Sequence, residues 1–189
     1  MSFLDDVRAE RLQKIELVRE SGMDPYPAES NRTHTNALFL ESFETLILSE
    51  ESVTLAGRIM ALRNQGGISF VDIFDGTERV QILLTKKSLG AESSDLFDST
   101  VDTGDFIEIV GKSITTKRGT NSVEAQSWRL LAKSVRPMPD EWFGIKDDDE
   151  RYRRRYIDIL LNPELSELLK KRSLFWNAIR TFMLESNFV

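Results

Sequence analysis

Val53-Thr-Leu-Ala-Gly-Arg-Ile-Met-Ala-Leu-Arg63 is the stretch whose period decides the fold. Val53, Leu55, Gly57 and Ile59 alternate with Thr54, Ala56 and Arg58, so successive side chains face opposite ways and 53–63 reads as a long strand. Downstream, Gly66-Gly67 turns the chain, 68–74 reads as a second strand, Asp75-Gly76 marks a hairpin, and 79–85 reads as a third strand. Ser88–Phe97 is polar and reads as helical. Residues 105–115 then read as a fourth strand, Lys117-Arg-Gly-Thr-Asn121 as a loop, and 122–131 as a fifth strand.

Three strands, an intervening helix and two more strands is the order of an OB-fold barrel. Upstream, Leu4, Val7, Leu12, Ile15 and Val18 fall near helical spacing, which predicts a helix over 3–21 stopped at Gly22. Pro25-Tyr-Pro27 forces an extended exit. A second helix is expected over 35–48, with an apolar face of Ala37, Leu38, Leu40, Phe43, Leu46 and Ile47. Residues 134–148 carry Pro137, Pro139, Gly144 and the acid run Asp147-Asp-Asp-Glu150, and read as a linker. A short helix follows at about 149–160. Asn162 then caps another, with Pro163 at its first position and Glu164 and Glu167 in its first turn. Leu165, Leu168, Leu169, Phe175, Trp176, Ile179, Phe182 and Met183 give that helix an apolar face without an evident partner. The expected class is therefore α+β: N-terminal helices over 1–52, a five-stranded OB-fold barrel over 53–133, a linker over 134–148, and C-terminal helices over 149–189.

Composition narrows the chemistry. With 189 residues the chain can bury a core, and it has no apolar run long enough to span a bilayer, so no membrane partner is expected. The start lacks the layout of a signal peptide, and the absence of cysteine excludes disulfides and thiolate metal sites; both suit the cytoplasm. The single histidine, His34, leaves no imidazole cluster. Net charge is −6, yet 1–52 holds 5 Lys/Arg against 11 Asp/Glu, while the strand-rich 53–133 is balanced at 10 against 10. That middle offers Arg58, Arg63, Lys86, Lys87, Lys112, Lys117, Arg118, Arg129 and Lys133 as phosphate contacts, which implies weak, salt-dependent binding.

An OB-fold binds oligonucleotides or oligosaccharides across strands two and three. If Val71, Ile73, Val80 and Ile82 face the core, Phe70 and Gln81 share the outer face. A ring beside an amide suits one unpaired base, stacked by the first and read by the second. The pattern alone favours an ordinary barrel phenylalanine and a solvated glutamine. Arg151, Arg153, Arg154 and Arg155 likewise have two readings: phosphate contacts, or partners of the preceding acid run. There is no paired-carboxylate, nucleophile–base or phosphate-cradling signature in the chain.

Three stretches carry a family resemblance: Arg11-Leu-Gln-Lys-Ile-Glu-Leu-Val-Arg-Glu-Ser-Gly-Met-Asp-Pro-Tyr-Pro27, Arg136-Pro-Met-Pro-Asp-Glu-Trp-Phe-Gly144, and Glu150-Arg-Tyr-Arg-Arg-Arg-Tyr-Ile-Asp-Ile-Leu-Leu-Asn-Pro163. The chain resembles the front of class II lysyl-tRNA synthetases, and Val53–Leu84 is similar to their anticodon-binding segment. The resemblance implies that Phe70 stacks on the central anticodon uridine, that Gln81 hydrogen-bonds it, and that Arg63 lies at the edge of the same surface. Where the family has Gly-Glu in the fourth-to-fifth strand loop, this chain has Gly119-Thr120, so Thr120 takes the place of an anticodon-reading glutamate.

The same resemblance implies a lysine–tRNA ligase in the complete protein, with tRNA-Lys as partner, ATP and Mg²⁺ as cofactors, and a homodimer begun by the helix after Pro163. The resemblance ends before the arginine-bearing motifs 2 and 3. The expectation is therefore that this chain supplies anticodon binding, holds no cofactor and no catalytic residue of its own, and is inactive alone. The alternative is a stand-alone OB-fold protein that binds single-stranded nucleic acid without catalysis.

Overall fold

The computed structural model describes residues 3–139, 145 and 147–188. Gly144 and the neighbouring part of the expected linker lie outside them. The chain forms two compact units, Met1–Met138 and Pro139–Val189.

In the first unit, α1 (Phe3–Glu20), α2 (Asn36–Glu41) and α3 (Phe43–Ser49) precede the strands. Then come β1 (Ser52–Gln65), β2 (Ile68–Phe74), β3 (Arg79–Thr85), α4 (Lys86–Leu89), α5 (Ala91–Thr100), β4 (Phe106–Thr115) and β5 (Asn121–Ala132). The strands close into a barrel in the order β1-β2-β3-β5-β4, an α+β architecture around an OB-fold. Closure depends on β1, which pairs with β4 through Ser52–Arg58 and with β2 through Arg58–Gln65. A register shift between Ile59 and Ala61 bends β1 from one neighbour to the other. Two further shifts interrupt the β4–β5 pairing, one of them between Val110 and Gly111, where a Cβ on Gly111 would collide with the carbonyl oxygen of Glu124. The only parallel pairing among the described strands, Gln81–Leu83 of β3 with Ser122–Glu124 of β5, seals the ring.

The alternation predicted for β2 and β3 is the observed one. Val71, Ile73, Val80, Ile82 and Leu84 are buried, and join Val53, Leu55, Ile59, Ile107, Ile109, Val123 and Leu130 in the barrel core. Phe97 of α5 packs edge-on against Trp128 with centroids 5.0 Å apart, and the indole N–H is used by Ser93.

Three expectations are corrected. The helix expected over 35–48 is two, interrupted at Ser42, because Phe39, Phe43 and Leu46 all turn into the core while Leu38 stays exposed. On α1, Leu4 and Leu12 are exposed, and Arg11 is buried with Ile15 and Val18. Lys133 is not available to a phosphate: its side chain is fully enclosed, with Nζ 2.5 Å from Asp102, 2.6 Å from Asp105 and 2.5 Å from the Thr100 carbonyl.

These polar groups fasten the N-terminal segment to the barrel. Arg11 donates to the carbonyls of Ser134, Arg136 and Thr103, and Lys14 pairs with Asp102 at 2.8 Å. Glu108, buried on β4, accepts from Arg129 at 2.6 Å, from the Ser30 hydroxyl at 2.7 Å and from the Asn31 N–H at 2.7 Å. Asp75 of the β2–β3 turn accepts from the Asn36 N–H and from Arg32, while Asn36 Nδ2 donates to the Ile73 and Glu78 carbonyls. Burial alone would raise the carboxyl pKa values of Glu108 and Asp75. The donors around each outweigh it and hold both below the usual carboxylate value.

The second unit contains α6 (Asp148–Arg153), α7 (Arg155–Leu161) and α8 (Pro163–Glu185). The helix expected at about 149–160 breaks at Arg154. The cap at the start of α8 is as read: Asn162 accepts from the Leu165 N–H, with Pro163 following. The basic cluster is satisfied locally, Arg151 by Asp148 and Asp158, Arg153 by Asp149, Arg154 by Glu150 and Arg155 by Asp158. Along α8, Leu168, Leu174, Phe175, Trp176, Phe182 and Leu184 are all exposed.

Candidate nucleic-acid interface

The outward faces of β1, β2, β3 and β5 carry two adjacent rows. In one, Arg63 on β1 stands opposite Phe70 on β2, Phe70 opposite Leu83 on β3, and Leu83 opposite Glu124 on β5. In the next, Ala61, Asp72, Gln81 and Ser122 are aligned in the same way. Phe70 and Gln81 are therefore diagonal neighbours on adjacent antiparallel strands, both half-buried and both pointing away from the core. Diagonal positions stand roughly 7–8 Å apart, enough to leave a slot for a base against the ring with its edge towards the amide.

A cleft of about 430 Å³ opens beside this slot. Arg63, Gln81 and Thr120 line it together with Asp72, Arg79, Val80, Asn121, Leu40 and Gly119. Phe70 is not among the lining residues; it borders the cleft through its ladder partner Arg63. Arg63 reaches diagonally to Asp72 at 3.2 Å, and both side chains remain partly exposed. An exposed pair of this kind contributes only ~0–1 kcal/mol, so a phosphate can replace the carboxylate at little cost.

The loop between β4 and β5 is held by its own backbone. The Gly119 N–H donates to the Thr116 carbonyl, the Thr116 N–H to the Thr120 carbonyl, and the Thr120 N–H to the Thr116 hydroxyl. Gly119 sits at φ +80°, which glycine adopts without strain. This tight turn presents Thr120 at the cleft with its side chain exposed, while Lys117 and Arg118 stand exposed beside it. Sequence reasoning missed Asp72, Arg79, Asn121 and Ser122. The first two were legible as outward positions of β2 and β3; Ser122 was not, because its neighbour Gln81 is set by the parallel closure of the ring. Four of the other cations proposed from sequence are engaged: Arg129 by Glu108, Lys86 by Asp95, Lys112 by Glu50, and Arg58 stacked on Phe106 with its guanidinium 4.3 Å from the ring centroid.

A closed five-stranded barrel with a ring, an amide and two arginines on its outer face defines an OB-fold nucleic-acid-binding domain, and residues 53–131 match the family described as OB-fold nucleic acid binding domain (tRNA anti-codon). Beyond the barrel, the chain is 38% identical over 187 residues to the lysine–tRNA ligase of Roseiflexus sp. (strain RS-1), covering 98% of this chain and 38% of that protein. It is 38% identical over 186 residues to the lysine–tRNA ligase of Carboxydothermus hydrogenoformans, and 37% identical over 180 residues to that of Pelotomaculum thermopropionicum. The chain spans a little over a third of the length of these lysine–tRNA ligases.

Proposed function

We propose that the barrel holds the anticodon of tRNA-Lys on the outer face of β2 and β3. Phe70 stacks on the central base, Gln81 hydrogen-bonds its edge, Arg63 meets an adjacent phosphate, and Thr120 contacts a flanking nucleotide from the β4–β5 loop. One observation carries this reading: Arg63, Gln81 and Thr120, three positions far apart in sequence, line one cleft with Phe70 in register beside Arg63. In the complete protein this recognition would serve ATP- and Mg²⁺-dependent joining of lysine to tRNA by a homodimer in the cytoplasm. Among the described residues there is no group of three or more metal-binding side chains and no helix long and apolar enough to cross a membrane. The family resemblance assigns the nucleotide and the metal to the remainder of the ligase. The division of labour along the chain follows the sequence boundaries: an N-terminal helical extension over 1–52, the anticodon-binding domain over 53–133, a linker over 134–148, and the start of a catalytic domain over 149–189.

The test is equilibrium binding of this chain to an anticodon stem-loop with uridine at its centre and to the same loop with cytidine. A preference for uridine that disappears in Gln81→Ala supports the assignment. Equal affinities for the two loops would overturn it.

A further inference from the structure

We propose that Ser122 is a positioning residue that fixes which end of the Gln81 amide faces the base, and thereby makes the site select an acceptor-bearing base edge. The inference rests on the reading that Gln81 meets the base, and extends it to how a glutamine, which can donate or accept, is made to do only one.

Gln81 and Ser122 are direct partners in the parallel β3–β5 pairing. The Ser122 hydroxyl, on a fully buried residue, lies 3.3 Å from Gln81 Oε1 and 3.3 Å from the Thr120 carbonyl oxygen. A hydroxyl has one proton to give. The structure sets the amide oxygen of Gln81, not its NH₂, against the hydroxyl, and the Ser122 proton is directed at that oxygen as well as at the Thr120 carbonyl, which also accepts from the Thr116 N–H at 3.0 Å. On the opposite side, the other ladder neighbour of Gln81 is Asp72, whose carboxylate is engaged by Arg63 at 3.2 and 3.4 Å. The amide oxygen is thus held at the barrel wall, and the NH₂ group is left for the cleft.

The consequence is chemical. A fixed NH₂ donates to a carbonyl such as uracil O4 and meets a second donor when the base is cytosine, whose N4 amino group occupies the same place. An amide free to rotate would turn its oxygen to the cytosine amino group and accept both pyrimidines. Ser122 thereby turns an ambidextrous side chain into a selective one, while never touching the RNA.

Binding of this chain to two anticodon stem-loops, identical except for uridine or cytidine at the centre, separates the two claims. Wild type, Ser122→Ala, Ser122→Thr and Gln81→Ala are compared, with the thermal midpoint of each recorded. The expected result is a wild-type preference for uridine of about tenfold, the worth of one well-made hydrogen bond. Ser122→Ala should reduce that ratio to about twofold or less, mainly by improving cytidine binding, and Ser122→Thr should restore it. A Ser122→Ala protein that folds and keeps the full uridine preference overturns the positioning role alone. Absence of any preference in the wild type overturns the underlying reading of Gln81. If Ser122→Ala is unstable, Gln81→Glu provides the second arm. Its carboxylate can only accept, so inversion of the preference towards cytidine supports an outward-facing donor in the wild type, and an unchanged preference overturns it.

Discussion

The ammonium of Lys133 lies 2.6 Å from the carboxylate of Asp105, and both side chains are completely enclosed. Asp102 joins them at the edge, and Lys14 and Arg11 bring α1 to the same cluster. Removing one member of a buried ion pair strands the other, at a cost of about 3–5 kcal/mol. Lys133→Met is therefore expected to lower unfolding free energy by that order, as measured by urea denaturation. A loss under about 1 kcal/mol would show that the cluster relaxes freely without its lysine.

Acid stability follows from the carboxylates that hold the N-terminal segment. Burial would raise the Glu108 and Asp102 pKa values, but their cationic partners and backbone donors outweigh it and lower both. Groups with depressed folded pKa values stabilise above their unfolded values, about 4 for these residues, and lose that contribution as pH falls through the folded values. Asp105 runs the other way: burial raises its pKa despite Lys133, so its contribution is full below the unfolded value and is lost as pH rises through the folded one. Glu108→Gln should flatten the decline of stability below about pH 4 without altering Asp105. Denaturant midpoints between pH 3 and 7 for wild type and variant check this; parallel curves would exclude Glu108 as a source of the acid limb.

Phe70 is half-buried on the outer face and contributes little to the core. Phe70→Ala should weaken stem-loop binding by about 1–3 kcal/mol, the range for loss of one stacked base, for uridine and cytidine loops alike. The thermal midpoint should move little by comparison. Fluorescence anisotropy with a labelled loop reads the first quantity and a melting curve the second.

Lys117 and Arg118 flank Thr120 on the exposed β4–β5 loop. Neutralising either should reduce the slope of log affinity against log salt by roughly 0.7 for each single-strand phosphate that is no longer neutralised. The ratio of uridine to cytidine binding should stay unchanged, because a cation on a phosphate carries no base information. A changed ratio with an unchanged slope would place these side chains on base edges instead.

The exposed apolar face of α8 should make this chain associate with itself. Sedimentation velocity is expected to show concentration-dependent species, removed by the double substitution Phe175→Lys and Phe182→Lys. Monodisperse monomer behaviour of the unsubstituted chain at high concentration would contradict this.

Much of the architecture was settled by local chemistry. The period of two in 68–74 and 79–85 is enforced by strand geometry, so it determines which side chains face inward before any partner is known, whereas in 53–63 the shift between Ile59 and Ala61 breaks the alternation and turns Arg63 to the outer face. That is why Phe70 and Gln81 could be placed on one outer face, and why Asn162-Pro163 marked the start of α8, from sequence by itself. Only the tertiary structure decided the relationships made by closing the barrel. The β3–β5 pairing joins residues 41 apart, and its register is a property of the whole ring, so nothing local to Gln81 announces Ser122. The same holds for buried charge. Lys133 read as a phosphate contact and nothing local marked Arg11 for burial, because a lone charge is costly to bury, and only the assembled fold supplies the carbonyls and carboxylates that make their burial tolerable.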